Sequence, residues 1–575
     1  MKAVTPEKQC KSADIDIEKL SGFMHKGAVS PLRMRAIDRN AMALGISAET
    51  LMENAGRALA ECIRDKIREI SAARAVPAPD AVAACKNPQK ILVLCGGGNN
   101  GGDGFVCARI LAADKGGDNA VAKVSVIYPK SAAERYTPES RKNLDRVREI
   151  PNIGVYAVET DADVRELSYI FDEATLIADC ILGTGAGAGR KLREPLNQMV
   201  ASANSSAAFV VSADIPTPQI RSDFTAAFHR EKITASENMP QDAIPNDKIR
   251  VCEIGIPAAA ELLTGPGEIA VIPKKSKDAH KGAGGRVLVI GGCREYQGAP
   301  YLAALAALRA GADIVQVATF TPPASEFVMQ YPDLITENLP YDPNNGGYLS
   351  AIHEERLKQL IDLADSVVIG CGLGSRSHDT VRRLAAYAKK AVIDADALRV
   401  PLPVPLPVST PCGSPHLREV IYTPHLGEFR RISGTEIQKT AAADNDPSAT
   451  DSLRGRAEKA RKFIAEIKAA NAAANAAEDL NAVILLKGAV DVISDGESVR
   501  FNATGTPAMT KGGTGDLLAG LCGALLCRMP AFDAAAAAAY SLGKCGEAVA
   551  DKYGDGLLAS DLLPVIAEIL RSDSE

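Results

Sequence analysis

The sequence predicts an α/β protein of two domains, each a parallel β-sheet covered by helices on both faces. Three observations carry this. At 575 residues the chain is too long for one ordinary core, at roughly 150 residues per domain. Short apolar, β-branched runs alternate with Ala-rich stretches of helical length, which is the pattern of β–α–β units. That alternation runs twice, interrupted by Gly-Pro-Gly at 265–267 and a lysine-rich stretch at 274–281.

In the first series, LMENAGRALAECIRDKI (51–67) spaces its apolar residues as a helix does and precedes the first strand, ILVLC at 91–95. Further strands are expected at 124–128, 155–158, 175–178 and 209–213, and the block closes with VCEIGIPAAAELL (251–263). In the second series, strands are expected at 287–290, 314–317, 366–369, 391–393, 421–422 and 482–486. A hairpin follows, 490–494 with 498–502, turning on Asp495-Gly496. The expected boundaries are a solvated tail over 1–29, a first domain over 30–257, a linker over 258–274 and a second domain over 275–575. Three stretches read as surface insertions: 238–248, the proline-rich 401–415, and an Ala/Asn/Asp-rich helix within 441–479.

Composition excludes several function classes. With 46% hydrophobic and 24% charged residues the chain is globular rather than disordered. A net charge of −6 supplies no broad positive field for nucleic acid or anionic lipid. No apolar run reaches the ~20 residues of a membrane span. Aromatic residues make up only 4%, with no Trp, which argues against stacking platforms for single strands. The 13 cysteines contain no CxxC pair, so neither a disulfide framework nor a structural zinc site is expected. The opening segment has no apolar core and is not read as a secretory signal. The expectation is a cytoplasmic homo-oligomer that acts on small molecules.

Two glycine loops carry the chemistry. The first, GGGNNGGDG at 96–104, lies between a strand and a helix, where backbone N–H groups and the helix dipole favour a phosphate. It contains GxGxxG (Gly96, Gly98, Gly101), but the next strand ends in Tyr128-Pro129-Lys130 and lacks the acidic residue that would hold a ribose. Asn99 and Asn100 add carboxamide oxygens and amides, suited to a cation or a polar ring. Asp179, before the run Gly183, Thr184, Gly185, Ala186, Gly187, Ala188, Gly189, and Asp214, before Ile215-Pro216-Thr217, put two carboxylates at strand ends, where open parallel sheets bind ligands. Each of these aspartates alone is equally readable as a helix cap or turn former.

The second loop, KGGTGD at 511–516, opens a helical stretch and is not a Walker loop. It offers flexible N–H donors at a helix N-terminus and a carboxylate, Asp516, placed to take a proton from a phosphoryl-accepting hydroxyl. The plainer alternative is that Asp516 caps the helix. Lys487 and Gly488 follow a strand where nucleotide phosphates would lie. His425 and Glu428, in PHLGE, stand where they can contact substrate, although a lone His is more often structural. Gly370–374 form another strand-end turn, and DADAL supplies Asp394 and Asp396, one to order a turn and one to face the cleft.

LMENAG, GGGNNGGDGFVCARIL, DCILGTG and DIP together resemble the NAD(P)H-hydrate epimerase domain over roughly 30–257. That resemblance implies that Asn99, Asn100, Gly101, Gly102, Asp103, the 183–189 run and Asp214 hold the hydrated nucleotide. It further implies that Asn100, Asp179 and Thr217 hold K+, with Asp179 as acid/base. The family reads DIPSG where this chain has Asp-Ile-Pro-Thr-Pro, so a Ser becomes Thr217 and a Gly becomes Pro218. KGAGGRVLVIGG, EYQGAP, GLG, DADAL, PHLGE, LLKGA and TKGGTGDLLAG resemble the ADP-dependent NAD(P)H-hydrate dehydratase over roughly 275–570. There the hydrated nucleotide is expected near Ala299, Gly374, His425 and Asp516, and the donor phosphates on Lys487, Gly488, Ala489, Val490, Asp491 and Gly515. Cys371 stands where that family commonly has Pro.

The implied architecture is an N-terminal Rossmann-like three-layer parallel-sheet domain and a C-terminal ribokinase-like α/β domain. The implied ligands are hydrated NADH and NADPH, ADP and its product AMP, Mg2+ and K+. Two other readings use the same residues: a vitamin-type kinase that stops at phosphorylation, and an N-terminal module that only binds nucleotide.

Overall fold

The structure is a computed structural model that describes residues 15–74, 89–113, 121–131, 136–184, 192–233, 248–276, 278–320, 331–399, 417–433, 452–473 and 480–572. The chain forms two compact units, one of 26–257 and one combining 258–575 with the first 25 residues.

In the first unit, β1 (Gln89–Cys95), β2 (Val121–Pro129), β3 (Ile153–Val158), β4 (Leu176–Cys180), β5 (Phe209–Ala213), β6 (Phe224–Phe228) and β7 (Ile249–Cys252) make one sheet in the order β3-β2-β1-β4-β5-β6-β7. Every pairing is parallel. Alternate residues of β1 enter opposite cores, as the period of a strand requires. Ile91, Val93 and Cys95 pack with Leu59, Ile63 and Phe105, whereas Leu92 and Leu94 pack with Phe171, Met199 and Val200. The three-layer expectation follows from this division.

In the second unit, β8 (Arg286–Ile290), β9 (Ile314–Thr319), β10 (Ile335–Asn338), β11 (Ser366–Ile369), β12 (Lys390–Ile393), β13 (Glu419–Tyr422), β14 (Asn481–Leu486), β15 (Asp491–Ser494) and β16 (Val499–Asn502) form a sheet ordered β10-β9-β8-β11-β12-β13-β14-β15-β16. It is parallel up to β14 and antiparallel through the β15–β16 hairpin. The helix Thr514–Leu526 crosses the helix Ala299–Arg309 so closely that a Cβ at Gly520 would clash with the Ala303 carbonyl.

Three expectations are corrected. Residues 15–25 are not a solvated tail: Leu20 and Phe23 are buried in the second unit's core, and Phe23 meets Phe501 edge-on at 6.1 Å. The 258–274 stretch is not a linker. It folds into the short helices Ala258–Leu262 and Pro266–Ala270, and Glu268 forms a buried ion pair with Arg500. The helix Leu453–Ala473, inside the expected 441–479 insertion, buries Ala457, Ala460, Phe463, Ile464 and Ile467 against the sheet. Its Ala and Asn content disguised an apolar stripe at helical spacing. The 401–415 insertion and most of 238–248 lie outside the described residues. All ten described cysteines are free thiols. Among the described residues no helix is long and apolar enough to cross a membrane.

Candidate functional site

In the first sheet, β2 and β3 lie on one side of β1, and β4 to β7 on the other. The chain therefore leaves the C-terminal ends of β1 and β4 in opposite directions, which opens a crevice between them. Both expected segments start there. Gly96 follows β1, donating its N–H to Cys180 O at 2.9 Å, and the helix Asn99–Ala112 begins immediately after. Two of the glycines serve packing: a Cβ at Gly96 would clash with Ile181 O, and one at Gly101 with Gly96 O.

The structure brings Asn100, Asp179 and Thr217 together. Asn100 Nδ2 donates to Leu182 O at 3.0 Å and Ala213 O at 3.4 Å, tying the loop to the ends of β4 and β5. Its Oδ1 is buried and finds no donor among the described residues. Asp179 accepts from Ile181 N (3.2 Å), Thr217 Oγ1 (2.7 Å), Ser212 Oγ (2.9 Å) and Thr217 N (2.9 Å). Burial raises its carboxyl pKa, while the hydrogen bonds from Thr217, Ile181 and Ser212 act against that rise. Leu182 N donates to Thr217 Oγ1 at 3.2 Å, so the hydroxyl that replaces Ser joins the same network. Pro218 is accommodated as well. Ile220 N donates to Thr217 O at 3.0 Å with Gln219 at φ 71°, a type II turn in which Pro takes its favoured second position.

Asp179, expected as acid/base, is held within this network. The side chain is fully buried, and its two oxygens accept four hydrogen bonds from neighbouring groups. Asp103 is different: it is 9% exposed and makes no hydrogen bond among the described residues. Burial, then Asp214 and Asp38, raise its pKa well above the usual range. Asp214 sits at φ 67° and pairs with Lys232, whose Nζ also donates to Phe228 O. Asn99 lies at the exposed start of the helix, its Oδ1 accepting from Thr137 Oγ1 at 3.1 Å. Gly183 packs on Asn100, and Thr184 follows it, partly exposed. Gly185, Ala186, Gly187, Ala188 and Gly189 lie outside the described residues.

The second sheet repeats the crevice between β8 and β11, from which β9 and β12 lead in opposite directions. Asp516 lies in the first turn of the helix Thr514–Leu526, entered through Gly513 at φ 96°, a conformation that favours glycine. Ligand atoms of Cys371, Asp394 and Asp516 lie within 4.8 Å of one another. Lys487 Nζ donates to Asp394 Oδ1 at 2.9 Å, and Thr423 Oγ1 to the same oxygen at 2.8 Å. Burial, then the charge of Asp394, push the Asp516 carboxyl up to about 7, against the opposing effects of Cys371 and Lys487. Burial opposes charge on Lys487, but Asp394 and Glu428 more than offset it and raise its pKa. A thiol and an ammonium-paired carboxylate do not make an oxygen cage for Mg2+.

The remaining expected residues converge on the same strand ends. Asp396 orders the GLG turn by accepting from Gly374 N at 2.9 Å, which leaves Asp394 facing the cleft. A Cβ at Gly372 would lie 3.2 Å from the Cβ of Ala299, at the start of its helix. Gly515 faces Lys487, whose Nζ lies 3.4 Å from where a Cβ at 515 would sit. His425 caps the helix Leu426–Ile432: its Nδ1 accepts from Gly427 N at 3.0 Å and Glu428 N at 3.2 Å, and its Nε2 lies 3.3 Å from Glu428 Oε1. Only that exposed ring edge is left to meet a ligand.

In the 487–491 turn, Gly488 and Ala489 are exposed and Val490 half-buried. Asp491 is engaged internally, accepting from Gly488 N and Asn502 Nδ2 at 2.9 Å each. It braces the turn from within, and burial raises its carboxyl pKa while the hydrogen bonds from Asn502 and Gly488 act against that rise. Sequence reasoning missed Arg456, whose guanidinium lies against Gly488 and adds a second cation beside Lys487. It also missed Asp38 and Lys232. None of the three lies in a glycine motif, and each reaches its site only through tertiary packing.

Comparison with known proteins gives matches along nearly the whole chain. Residues 287–568 match a family described as NAD(P)H-hydrate dehydratase, and residues 48–235 match one described as YjeF-related protein N-terminus. The chain is 40% identical to a bifunctional NAD(P)H-hydrate repair enzyme of Methanospirillum hungatei, over 99% of this chain and 98% of that one. It is 34% identical to the enzyme of the same name from Methanothermobacter thermautotrophicus, over 94% and 95% of the two chains. Among solved structures, an ADP/ATP-dependent NAD(P)H-hydrate dehydratase from Bacillus subtilis, co-crystallised with ATP/Mg2+, aligns with 54% of this chain and 99% of its own, at 25% identity and a TM-score of 0.40.

Proposed function

Because the chain belongs to the family of bifunctional NAD(P)H-hydrate repair enzymes, we propose that it returns hydrated NADH and NADPH to the reduced cofactor in two steps. The N-terminal domain interconverts the R and S hydrates, and the C-terminal domain dehydrates the S form at the expense of ADP, leaving AMP and phosphate. The supporting observation is Asp516, half-buried at a helix N-terminus, beside an Asp394–Lys487 pair that adjoins a basic turn. The free thiols of all ten described cysteines suit action on a small-molecule pool in the reducing cytoplasm.

Hydration leaves a ring hydroxyl, and hydroxide departs poorly. Transfer of a phosphoryl group onto that oxygen makes a good leaving group, and elimination of phosphate restores the dihydronicotinamide. In this reading Asp516 takes the hydroxyl proton, and the 513–515 amides at the helix start balance charge on the transferring group. Lys487 and Arg456 hold the donor phosphates over the exposed 488–489 backbone. Lys487 also neutralises Asp394, so that Asp516 can ionise near neutral pH. Mg2+ would arrive on the donor's phosphates and offset their charge. In the first domain the oxygens of Asn100, Asp179 and Thr217 would hold K+, supported by the undonated Asn100 Oδ1. When bound, the ion supplies fixed positive charge beside the nucleotide.

Two outcomes are expected. Because the base must be ionised and Asp516 is held at about 7, dehydration should rise with pH through about 7, by about tenfold per unit on the acid side. A profile already flat at pH 5 contradicts this assignment. Exchanging K+ for tetramethylammonium should slow epimerisation and spare dehydration of the pure S form, and Asn100→Ala should do the same in K+. The test of the dehydratase reading is incubation of S hydrate with Mg2+ and ADP, following near-ultraviolet absorbance and AMP. One NADH per AMP supports it, whereas a stable phosphorylated product with no NADH favours a kinase.

A further inference from the structure

Away from both crevices, a helix and a strand of the first unit meet sulfur to sulfur. β7 is the edge strand of its sheet. Residues two apart on a strand point the same way, which sets Arg250 and Cys252 on one face. Residues three apart on a helix share a side, and Cys62 and Asp65 of the helix Ala48–Arg74 are such a pair. The two spacings match. Arg250 Nη1 donates to Asp65 Oδ2 at 2.6 Å, and Cys62 Sγ lies 3.4 Å from Cys252 Sγ. Nearer the helix start, Asn54 Nδ2 donates to Ile254 O at 3.0 Å, so three contacts hold the helix to the end of this strand.

A buried cysteine ordinarily serves as a small apolar residue. This pair differs, because among the described residues no other two thiols are hydrogen-bonded to each other. With the sulfurs at 3.4 Å and a disulfide bond at about 2.05 Å, about 1.4 Å separates contact from bond. The two thiols are not equivalent. Cys62 is 1% exposed, whereas Cys252 is 7% exposed and follows the half-exposed Val251 on the open edge. The hydrogen bond from Cys62 holds Cys252 below the usual thiol range, with burial opposing and Arg250 assisting. The same bond, then burial, raise Cys62. Cys252 is therefore the sulfur that ionises and meets a small oxidant first, and Cys62 is placed to resolve it.

One hydroperoxide balances the chemistry. The Cys252 thiolate attacks the peroxide: an S–O bond forms, the O–O bond breaks, and the departing oxygen takes up the proton that Cys252 released. The sulfur is oxidised to a sulfenic acid and the peroxide is reduced to an alcohol or water. The Cys62 sulfur then attacks the sulfenic sulfur. The S–S bond forms, the S–O bond breaks, and hydroxide leaves with the Cys62 proton as water. Two thiols and one hydroperoxide give one disulfide, one alcohol or water, and one further water. A thiol reductant reverses the bond by exchange.

We propose that Cys62 and Cys252 are a reversible redox modification site whose oxidant is a hydroperoxide, and that their disulfide locks the helix Ala48–Arg74 to the last strand of the first unit. The two residues are 190 apart in a unit that spans 26–257, so the bond closes most of that unit into one loop. A cross-link over so long a loop strongly restrains the unfolded chain. The test exposes the full chain, fully reduced and without denaturant, to a slight excess of hydrogen peroxide. Catalase then stops the reaction, and the protein is unfolded in N-ethylmaleimide and digested. The expected result is a peptide joining 62 to 252, absent after dithiothreitol, and a first-unit unfolding transition raised by about 5 °C or more. Cys62→Ser treated alike should show no such rise, and its Cys252 should run on to sulfinic acid. The joined peptide is read on wild type, so the result stands whatever the stability of the variant. Recovery of both cysteines as N-ethylmaleimide adducts overturns the proposal, as does sulfinic acid at Cys252 of wild type without a joined peptide. A joined peptide that leaves the transition unmoved overturns the lock.

Discussion

Replacing Asp516 with Asn is expected to lower ADP-dependent dehydration by a factor of about 10²–10⁴ and to leave interconversion of the hydrates at the wild-type rate. The carboxylate stands at the mouth of the helix Thr514–Leu526, where burial and Asp394 hold it at about 7, so it can accept a proton near neutral pH. Asn keeps the shape and the amides at the helix start but cannot take the proton. It also removes a like charge from beside Asp394, so the fold should be no less stable than wild type. Steady-state rates on the pure S hydrate, with an unfolding curve as control, check both points. A variant within a few-fold of wild type would mean that Asp516 only caps its helix.

The largest expected effect on stability lies elsewhere. Glu268 and Arg500 have side chains 2% and 1% exposed and are paired with each other; Arg500 also donates to Leu263 O at 2.7 Å, and Glu268 accepts from Gly265 N. Glu268→Ala leaves a guanidinium buried without its counter-charge and should cost the second unit about 3–5 kcal/mol. A double variant, Glu268→Leu with Arg500→Met, should recover most of that loss, because a well-packed apolar pair removes the unpaired charge. Denaturant unfolding followed through the second unit's transition provides the comparison. A loss under about 1 kcal/mol for Glu268→Ala would show that the ion pair does not hold 258–270 to the hairpin.

What the sequence made legible follows from where the information sits. Strands such as Gln89–Cys95 and Asn481–Leu486 are continuous apolar runs, and each loop that follows a strand at a crevice carries glycines forced by close backbone approach, as at Gly96. Local pattern was enough there. Phe224–Phe228 escaped because every residue faces a core, so FTAAF shows no alternation, and no helix separates it from β5. Ile335–Asn338 escaped as a polar edge strand, and Ile249–Cys252 as a short one with two exposed positions. The catalytic neighbourhood was legible where it is contiguous, as in the loop from 99 to 103 or the 511–516 turn. It was not legible where charge is brought in from afar: Lys232 meets Asp214 only after the chain turns back through β6, and Arg456 meets Gly488 from a helix that read as an insertion. The burial of Asp179 is likewise a property of the folded sheet, with Ser212 and Thr217 supplied by the neighbouring strand and its loop.

The most direct test of two activities in one chain starts from the pure R hydrate of NADH, with the full-length protein, K+, Mg2+ and ADP, followed by near-ultraviolet absorbance. The account predicts complete return of NADH, with a lag that vanishes when the S hydrate is supplied. NADH formed from S but never from R beyond its spontaneous inversion would contradict it.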